Sequence, residues 1–318
     1  MDLSLLFAGT AGSVPSARRS LPALLLRRGG ERVLFDCGEG TQRQLLRLGG
    51  LPDVTHIFIT HFHADHWLGL PGMLKTFELR DRDRPLTVLG PPGLRDLMRR
   101  MDFVIGKLGY PLDVRELEPG ETVRWDDWYV APFPVDHRGA NCFGYAIVED
   151  ARPGRFDAEL AARLGVAPGP DFGRLQAGET VGGVRPDQVI GEDRAGRKIV
   201  LSGDTRPCDA LRVAAHEADV LVHEATFTDE LADRAATMRH STARQAAQIA
   251  LDAQVKMLVL THLSSRYAGA EVAEEAREVF AATEVPRDGD SVEIPLPERG
   301  DPVLVRPQRR DPRPVAAS

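Results

Sequence analysis

The amino-acid sequence predicts an α/β fold built in layers, and three observations lead there. Short apolar runs alternate with helical patterns across glycine turns, a strand-rich stretch interrupts that winding midway, and several apolar runs end abruptly in a histidine or aspartate. The chain has 318 residues, 42% hydrophobic and 27% charged, which is enough for one large α/β domain with a substantial core. No stretch approaches the roughly 18 continuous apolar residues of a membrane span. The opening MDLSLLFAGTAG has no basic region before its short apolar run and reads as a first strand, not a secretion signal, so a cytoplasmic protein is expected. A net charge of −7 is the opposite of the simple electrostatic signature of a nucleic-acid binder, and any such role must rest on local features. Cys37, Cys142 and Cys208 form no CxxC pair and leave one thiol over in any pairing, which argues for buried free thiols.

Taken in order, LSLLFAG, ALLLRRG and RVLFDCGEG read as strands, TQRQLLRLG as an amphipathic helix, and HIFIT as a further strand running into HFHADH. Helices over residues 69–80 and 93–100 flank the strand LTVLG. Between residues 114 and 148, RELEPGETVRW, WYVAPFPVDH and CFGYAIVED predict consecutive strands of antiparallel sheet. Residues 150–195 are rich in Gly and Pro with one helical stretch around 156–164, and predict a flexible, protruding arm that contributes little to a core. Strand and helix alternation resumes with KIVLSGDTRP, a helix through His216, DVLVHEATF, a helix beginning in HSTARQAAQIALDA, KMLVLTH, another helix and SVEIPL. One domain over residues 1–298 is therefore expected, followed by an Arg/Pro-rich mobile tail over 299–318.

The stretch HFHADH places three of the chain's nine histidines, His61, His63 and His66, and the carboxylate Asp65 within six positions. Three solvated histidines flanking an aspartate are an improbable accident, whereas neutral imidazoles and a carboxylate are a chemical match for zinc, with manganese or iron as substitutes. One loop cannot complete two sites, and His137 in FPVDH, Asp204 in VLSGD and His262 in VLTH each follow an apolar run that would deliver them to the end of a sheet. Isolated histidines such as His56 and His216 read as structural or surface residues, and His223 as second-layer support or core packing.

The chain resembles the metallo-β-lactamase superfamily in HFHADH. It resembles the ribonuclease Z family in FAGTAGSVPSARRS, FDCGEGTQRQ, SGDTRP, HEATF, HSTARQAA and THLSSRY, which run in family order from residue 7 to residue 267. The resemblance implies a four-layer αβ/βα sandwich with an inserted exosite arm, and two Zn2+ per subunit, with Mn2+ or another divalent ion as an alternative. His61, His63 and His137 would hold one ion, Asp65, His66 and His262 the other, with Asp204 bridging. It further implies an endoribonuclease that removes the 3′ trailer of precursor tRNA by attack of a metal-bound hydroxide and leaves a 3′-hydroxyl. In that frame Asp65 handles the water's proton, His240 is the general acid and Glu224 orients it. The arm would grip the tRNA body through its tip, Pro168, Gly169 and Pro170, and through Arg163 and Arg174, and would serve the other active site of a homodimer. Arg18 and Arg19 would lie near the cleaved end. The segment 151–190 departs from the family's basic arm, carrying five arginines against five acidic residues. The competing expectation is a phosphodiesterase of the same fold acting on a small molecule or a cyclic nucleotide. A noncatalytic RNA-binding protein that keeps zinc for folding fits less well, because a structural site would not need an open dinuclear centre.

Overall fold

The computed structural model describes residues 1–139 and 141–307. Its strands are Leu3–Gly9 (β1), Ala23–Arg28 (β2), Glu31–Phe35 (β3), His56–Phe58 (β4), Leu86–Gly90 (β5), Leu112–Glu116 (β6), Val123–Arg124 (β7), Trp128–Pro134 (β8), Phe143–Glu149 (β9), Lys198–Leu201 (β10), Val220–Glu224 (β11), Met257–Thr261 (β12), Thr283–Glu284 (β13), Ser291–Glu293 (β14) and Val303–Val305 (β15). They form two sheets, one ordered β15-β14-β1-β2-β3-β4-β5-β6 and the other β13-β12-β11-β10-β9-β8-β7. Pairing is antiparallel from β15 to β3 and parallel from β3 to β6, and in the second sheet antiparallel from β7 to β10 and parallel from β10 to β13.

The strands carry apolar residues on both faces because both faces are covered. In β1, Leu3, Leu5 and Phe7 point into the inter-sheet core, where they meet the layer that supplies Trp128, Val130, Tyr145 and Ile147, while Leu6 and Ala8 point outward. The outer face of the first sheet is covered by Thr41–Arg47 (α1), Ala64–Trp67 (α2), Leu70–Glu78 (α3) and Leu94–Ile105 (α4), which bury Leu45, Leu70, Leu74, Phe77, Leu94 and Met98 against Leu25, Leu34 and Ile57. This gives the expected αβ/βα sandwich.

Three elements differ from expectation. The sequence predicts RELE as the start of the antiparallel run, but β6 joins β5 in parallel at the edge of the first sheet, and the antiparallel stretch runs from β7 through β9 to β10. The arm folds into Ala158–Arg163 (α5), Pro170–Gln176 (α6) and Pro186–Val189 (α7), which bury Ala161, Val166, Leu175, Val181, Val184 and Val189 in a small core of their own. Its apolar residues are spread singly through Gly/Pro-rich text, so no window of sequence shows a hydrophobic face. The mobile tail expected from residue 299 is corrected over 303–305, where the alternating VLV of β15 finds an open edge and pairs with β14. Residues 308–318 of that tail lie outside the described residues.

On the second sheet's outer face, Asp209–Ala215 (α8), Ala232–Met238 (α9), Ala243–Asp252 (α10) and Gly269–Arg277 (α11) follow in order. From these, Leu211, Ala246, Ile249, Ala250 and Val272 pack against Val200, Leu221, Leu258 and Leu260. Among the described residues no helix is long and apolar enough to cross a membrane. The parallel strands β3, β4, β10, β11 and β12 all end at one rim, and the polar residues that follow or close them, Asp36, His61, Asp204, Glu224 and His262, converge there.

Candidate metal centre

All seven expected ligands meet at that rim. His61, His63, His137 and Asp204 offer ligand atoms lying within 4.8 Å of one another, and Asp65, His66 and His262 do the same. Asp204 stands between the two groups. Its Oδ2 is 3.2 Å from His262 Nε2, 3.4 Å from His66 Nε2, 3.8 Å from His61 Nε2 and 3.9 Å from His137 Nε2. Asp65 Oδ2 is 3.3 Å from His262 Nε2 and 3.6 Å from His66 Nε2. His63 is exposed at the mouth, and its Nδ1 lies 3.1 Å from His137 Nε2.

Whether these residues fit metal ions is decided by which ring nitrogen of each histidine is already committed. His66 Nδ1 donates to Asp36 Oδ2 at 2.7 Å, and His137 Nδ1 donates to the Arg239 carbonyl at 2.8 Å. Thr60 gives its hydroxyl proton to Asp36 at 3.0 Å, so its oxygen accepts from His61 Nδ1, also at 3.0 Å. His262 Nδ1 stands 2.8 Å from Thr226 Oγ1. Neutral imidazole has one N–H, so these bonds at Nδ1 turn the Nε2 lone pairs inward, toward carboxylate oxygens that also offer only lone pairs. His61 Nε2 and His66 Nε2 are buried without any hydrogen-bond partner. Buried polar atoms left bare beside carboxylates are costly unless a cation lies between them, and imidazoles anchored through their outer nitrogen are how proteins hold metal ligands in place. The donor set fits a pair of divalent cations.

The electrostatics differ from group to group. Burial pushes the Asp204 carboxyl upward, but His262, His66 and His61 around it hold it well below the usual carboxylate range. Burial drives His61 well down, which keeps it neutral as a ligand must be, whereas for His66 burial is outweighed by Asp204 and Asp36, which favour positive charge at that ring.

His240 sits beside this centre on the turn before α10. Its Nδ1 donates to Glu224 Oε1 at 2.7 Å and lies 4.0 Å from Asp204 Oδ2. Burial opposes its charge, yet Glu224 and Asp204 raise it to about 9, so the ring is protonated at neutral pH. Thr242 caps α10 by accepting from the Gln245 N–H, which fixes the turn that presents His240. His240 also falls in a group with Asp204 and His262 that could take an ion, but unlike the other imidazoles it turns toward Asp204 the same Nδ1 that Glu224 holds.

Other expected residues are not at the centre. Arg18 is exposed on the loop after β1. Arg19, expected near the cleaved end, is turned inward. Its Nη1 donates to Thr10 Oγ1 at 2.6 Å and to the Pro286 carbonyl at 2.8 Å. Arg163, Pro168, Gly169, Pro170 and Arg174 are exposed on the arm. Arg174 is paired there with Glu179 at 2.8 Å and Asp171 at 3.1 Å, and Arg163 stands 3.9 Å from Glu159. His223 is fully buried on the helix-facing side of β11, as core packing requires. Sequence reasoning missed the supporting layer: Asp36, Thr60, Thr226, and Ser13, whose N–H donates to Asp65 Oδ2 at 2.8 Å.

Comparison with known proteins bears on this arrangement. Residues 31–156 and 178–263 match the model of the beta-lactamase superfamily domain. A ribonuclease Z of Haloferax volcanii is 48% identical over 305 residues, covering 93% of this chain and 96% of that protein. The chain belongs to the ribonuclease Z family. A second ribonuclease Z, of Gemmatimonas aurantiaca, is 46% identical over 307 residues, 94% of this chain and 98% of that one. The crystal structure of the short form of human tRNase Z superposes with a TM-score of 0.68 at 30% identity, covering 92% of this chain and 99% of that one. The metallo-beta-lactamase fold protein YhfI of Bacillus subtilis, at 16% identity and a TM-score of 0.69, shares the fold alone.

Proposed function

We propose that this ribonuclease Z family chain removes the 3′ trailer of precursor tRNA with two zinc ions at the Asp204 centre, leaving a 3′-hydroxyl on the tRNA. The chain is an endoribonuclease, and the observation that carries the metal reading is the convergence of fixed Nε2 atoms on the central Asp204 oxygen. Nitrogen and carboxylate donors in a pocket of this kind suit Zn2+, and Mn2+ would also be accepted. When bound, two such ions supply an ionised water at neutral pH and offset the charge of the phosphodiester under attack.

The protein's own groups divide the remaining work. Asp65, held by the Ser13 N–H, orients the attacking water and receives its proton. Expulsion of a ribose 3′ oxygen needs a proton, and His240 is the charged acid beside the centre, kept in orientation through Nδ1 by Glu224. The arm adds the tRNA body. Arg174 is engaged with Asp171 and Glu179, so phosphate contact there exchanges one ion pair for another. A homodimer in which each arm serves the partner's site belongs to the same reading.

The test uses a precursor tRNA and bis-p-nitrophenyl phosphate side by side, with and without residues 150–195. The intact chain should release a trailer and leave a tRNA ending in a 3′-hydroxyl, and the armless chain should lose at least about 100-fold on tRNA while keeping the small ester. Equal loss on both substrates, or tRNA cleavage indifferent to the arm, would contradict this reading and favour a small phosphodiester as substrate.

A further inference from the structure

We infer that Thr226 is a positioning residue that lets the single carboxylate of Glu224 hold both the general acid and a metal ligand. The inference rests on the metal reading of the site. Glu224 is buried, and burial alone would raise its carboxyl, but His240 draws it below the ordinary range, so it is ionised and accepts on both oxygens. Oε1 takes His240 Nδ1–H at 2.7 Å and the Thr205 N–H at 2.8 Å. Oε2 takes the Thr226 hydroxyl at 2.6 Å and the Thr226 N–H at 3.2 Å. A hydroxyl has one proton. With that proton committed to Glu224, the Thr226 oxygen can only accept at its other contacts, His262 Nδ1 at 2.8 Å and, more distantly, His240 Nδ1 at 3.3 Å, whose N–H goes chiefly to Glu224. His262 must therefore be the Nδ1–H tautomer, and its Nε2 lone pair is aimed at Asp204 Oδ2 and Asp65 Oδ2.

The backbone makes His262 depend on this contact. The residue lies in the left-handed region at φ 56, a conformation that costs a histidine energy and persists only when its surroundings impose it. Gly12 closes the other side, since a Cβ there would come within 2.5 Å of His262 Nδ1. The ring is thus boxed between Gly12 and Thr226, and among the described residues Thr226 is the hydrogen-bond partner of its Nδ1. An equivalent arrangement serves the first sheet's half of the centre, where Asp36 holds His66 directly and His61 through the hydroxyl of Thr60. Thr226 is the second-sheet counterpart, with the general acid in place of the second ligand.

The experiment compares wild type, Thr226→Val, which keeps the shape and loses the hydroxyl, and Thr226→Ser, which restores it. Zinc content and chelator competition are measured together with kcat and KM on precursor tRNA. Thr226→Val should bind one of its two ions about 10- to 100-fold more weakly and lose kcat with KM nearly unchanged, and Thr226→Ser should recover both. Equal zinc affinity and kcat within twofold of wild type in Thr226→Val would overturn the inference. Should Thr226→Val fail to fold, nitrogen-15 NMR of wild-type His262 decides: protonated Nδ1 supports it, and protonated Nε2 refutes it. A wild type that takes up no zinc would instead defeat the metal reading itself.

Discussion

The two ends of the sandwich both bury charge, but they partner it with different groups. At the end away from the rim, Arg28 and Arg197 close on Glu149, with nitrogen to oxygen distances of 2.8 Å and 2.7 Å, and Arg28 also reaches Asp127 at 2.7 Å. Two guanidinium groups meet two carboxylates, and the spare donors of Arg197 go to the carbonyls of Ile294 and Met1. At the rim, Asp36, Asp204 and Glu224 are buried and Asp65 lies beside them, yet the facing imidazoles are turned so that lone pairs meet lone pairs. The difference teaches that one end is a finished structural element, while the other turns ring nitrogens and carboxylate oxygens toward one another in the arrangement that suits bound cations. The opposite ends of the same strands carry the two clusters: β9 runs from Phe143, bonded to Thr60 at the rim, to Glu149, and β2 from Ala23 to Arg28.

This contrast can be sharpened by substituting on each side. The larger effect is expected at the rim. His240→Ala should slow tRNA cleavage by about 10²- to 10⁴-fold, the usual worth of a positioned acid, with two ions still bound by mass spectrometry. Loss of an ion instead would make His240 a ligand and place another group as the acid. At the far end Glu149→Gln should leave chemistry intact and cost about 3 kcal/mol of unfolding free energy near neutral pH, because two buried guanidinium groups lose their partner. Burial would raise the Glu149 carboxyl, but Arg197 and Arg28 hold it at about 2 in the folded chain, below its value of about 4.3 when unfolded. The stabilisation is therefore complete above about 4.3 and disappears as pH falls toward about 2, so denaturant curves of wild type and Glu149→Gln should converge in that window. A gap that persists at pH 2 would show that packing, not charge, sets the cost.

The convergence of the seven candidate ligands was legible in the sequence because each follows a strand that the apolar text reveals, and HFHADH concentrates three imidazoles where chance would scatter them. The layer behind them was not. Thr60 and Thr226 are ordinary residues at strand ends, and their roles depend on which proton each hydroxyl gives away, which only three-dimensional neighbours determine. Asp36 in FDCGEG and His262 in VLTH both adopt positive φ, which glycine would announce and these residues hide. Arg19, expected near the cleaved end, is instead held by the Pro286 carbonyl, 267 residues away along the chain. The arm's core of single valines and the late strand Val303–Val305 escaped for a related reason, since neither carries enough periodicity to stand out from its glycines and prolines.

The central claim is that the rim is complete only with two cations. It is tested most directly by counting metal ions per chain in the native protein, stripping them with a chelator, and assaying precursor tRNA cleavage before and after refilling with zinc, alongside Asp65→Ala and His66→Ala. Two ions per native chain, no cleavage when stripped or substituted, and recovery of the wild type on refilling are the expected results. Full turnover by the stripped protein, or an unchanged metal count in His66→Ala, would contradict the account.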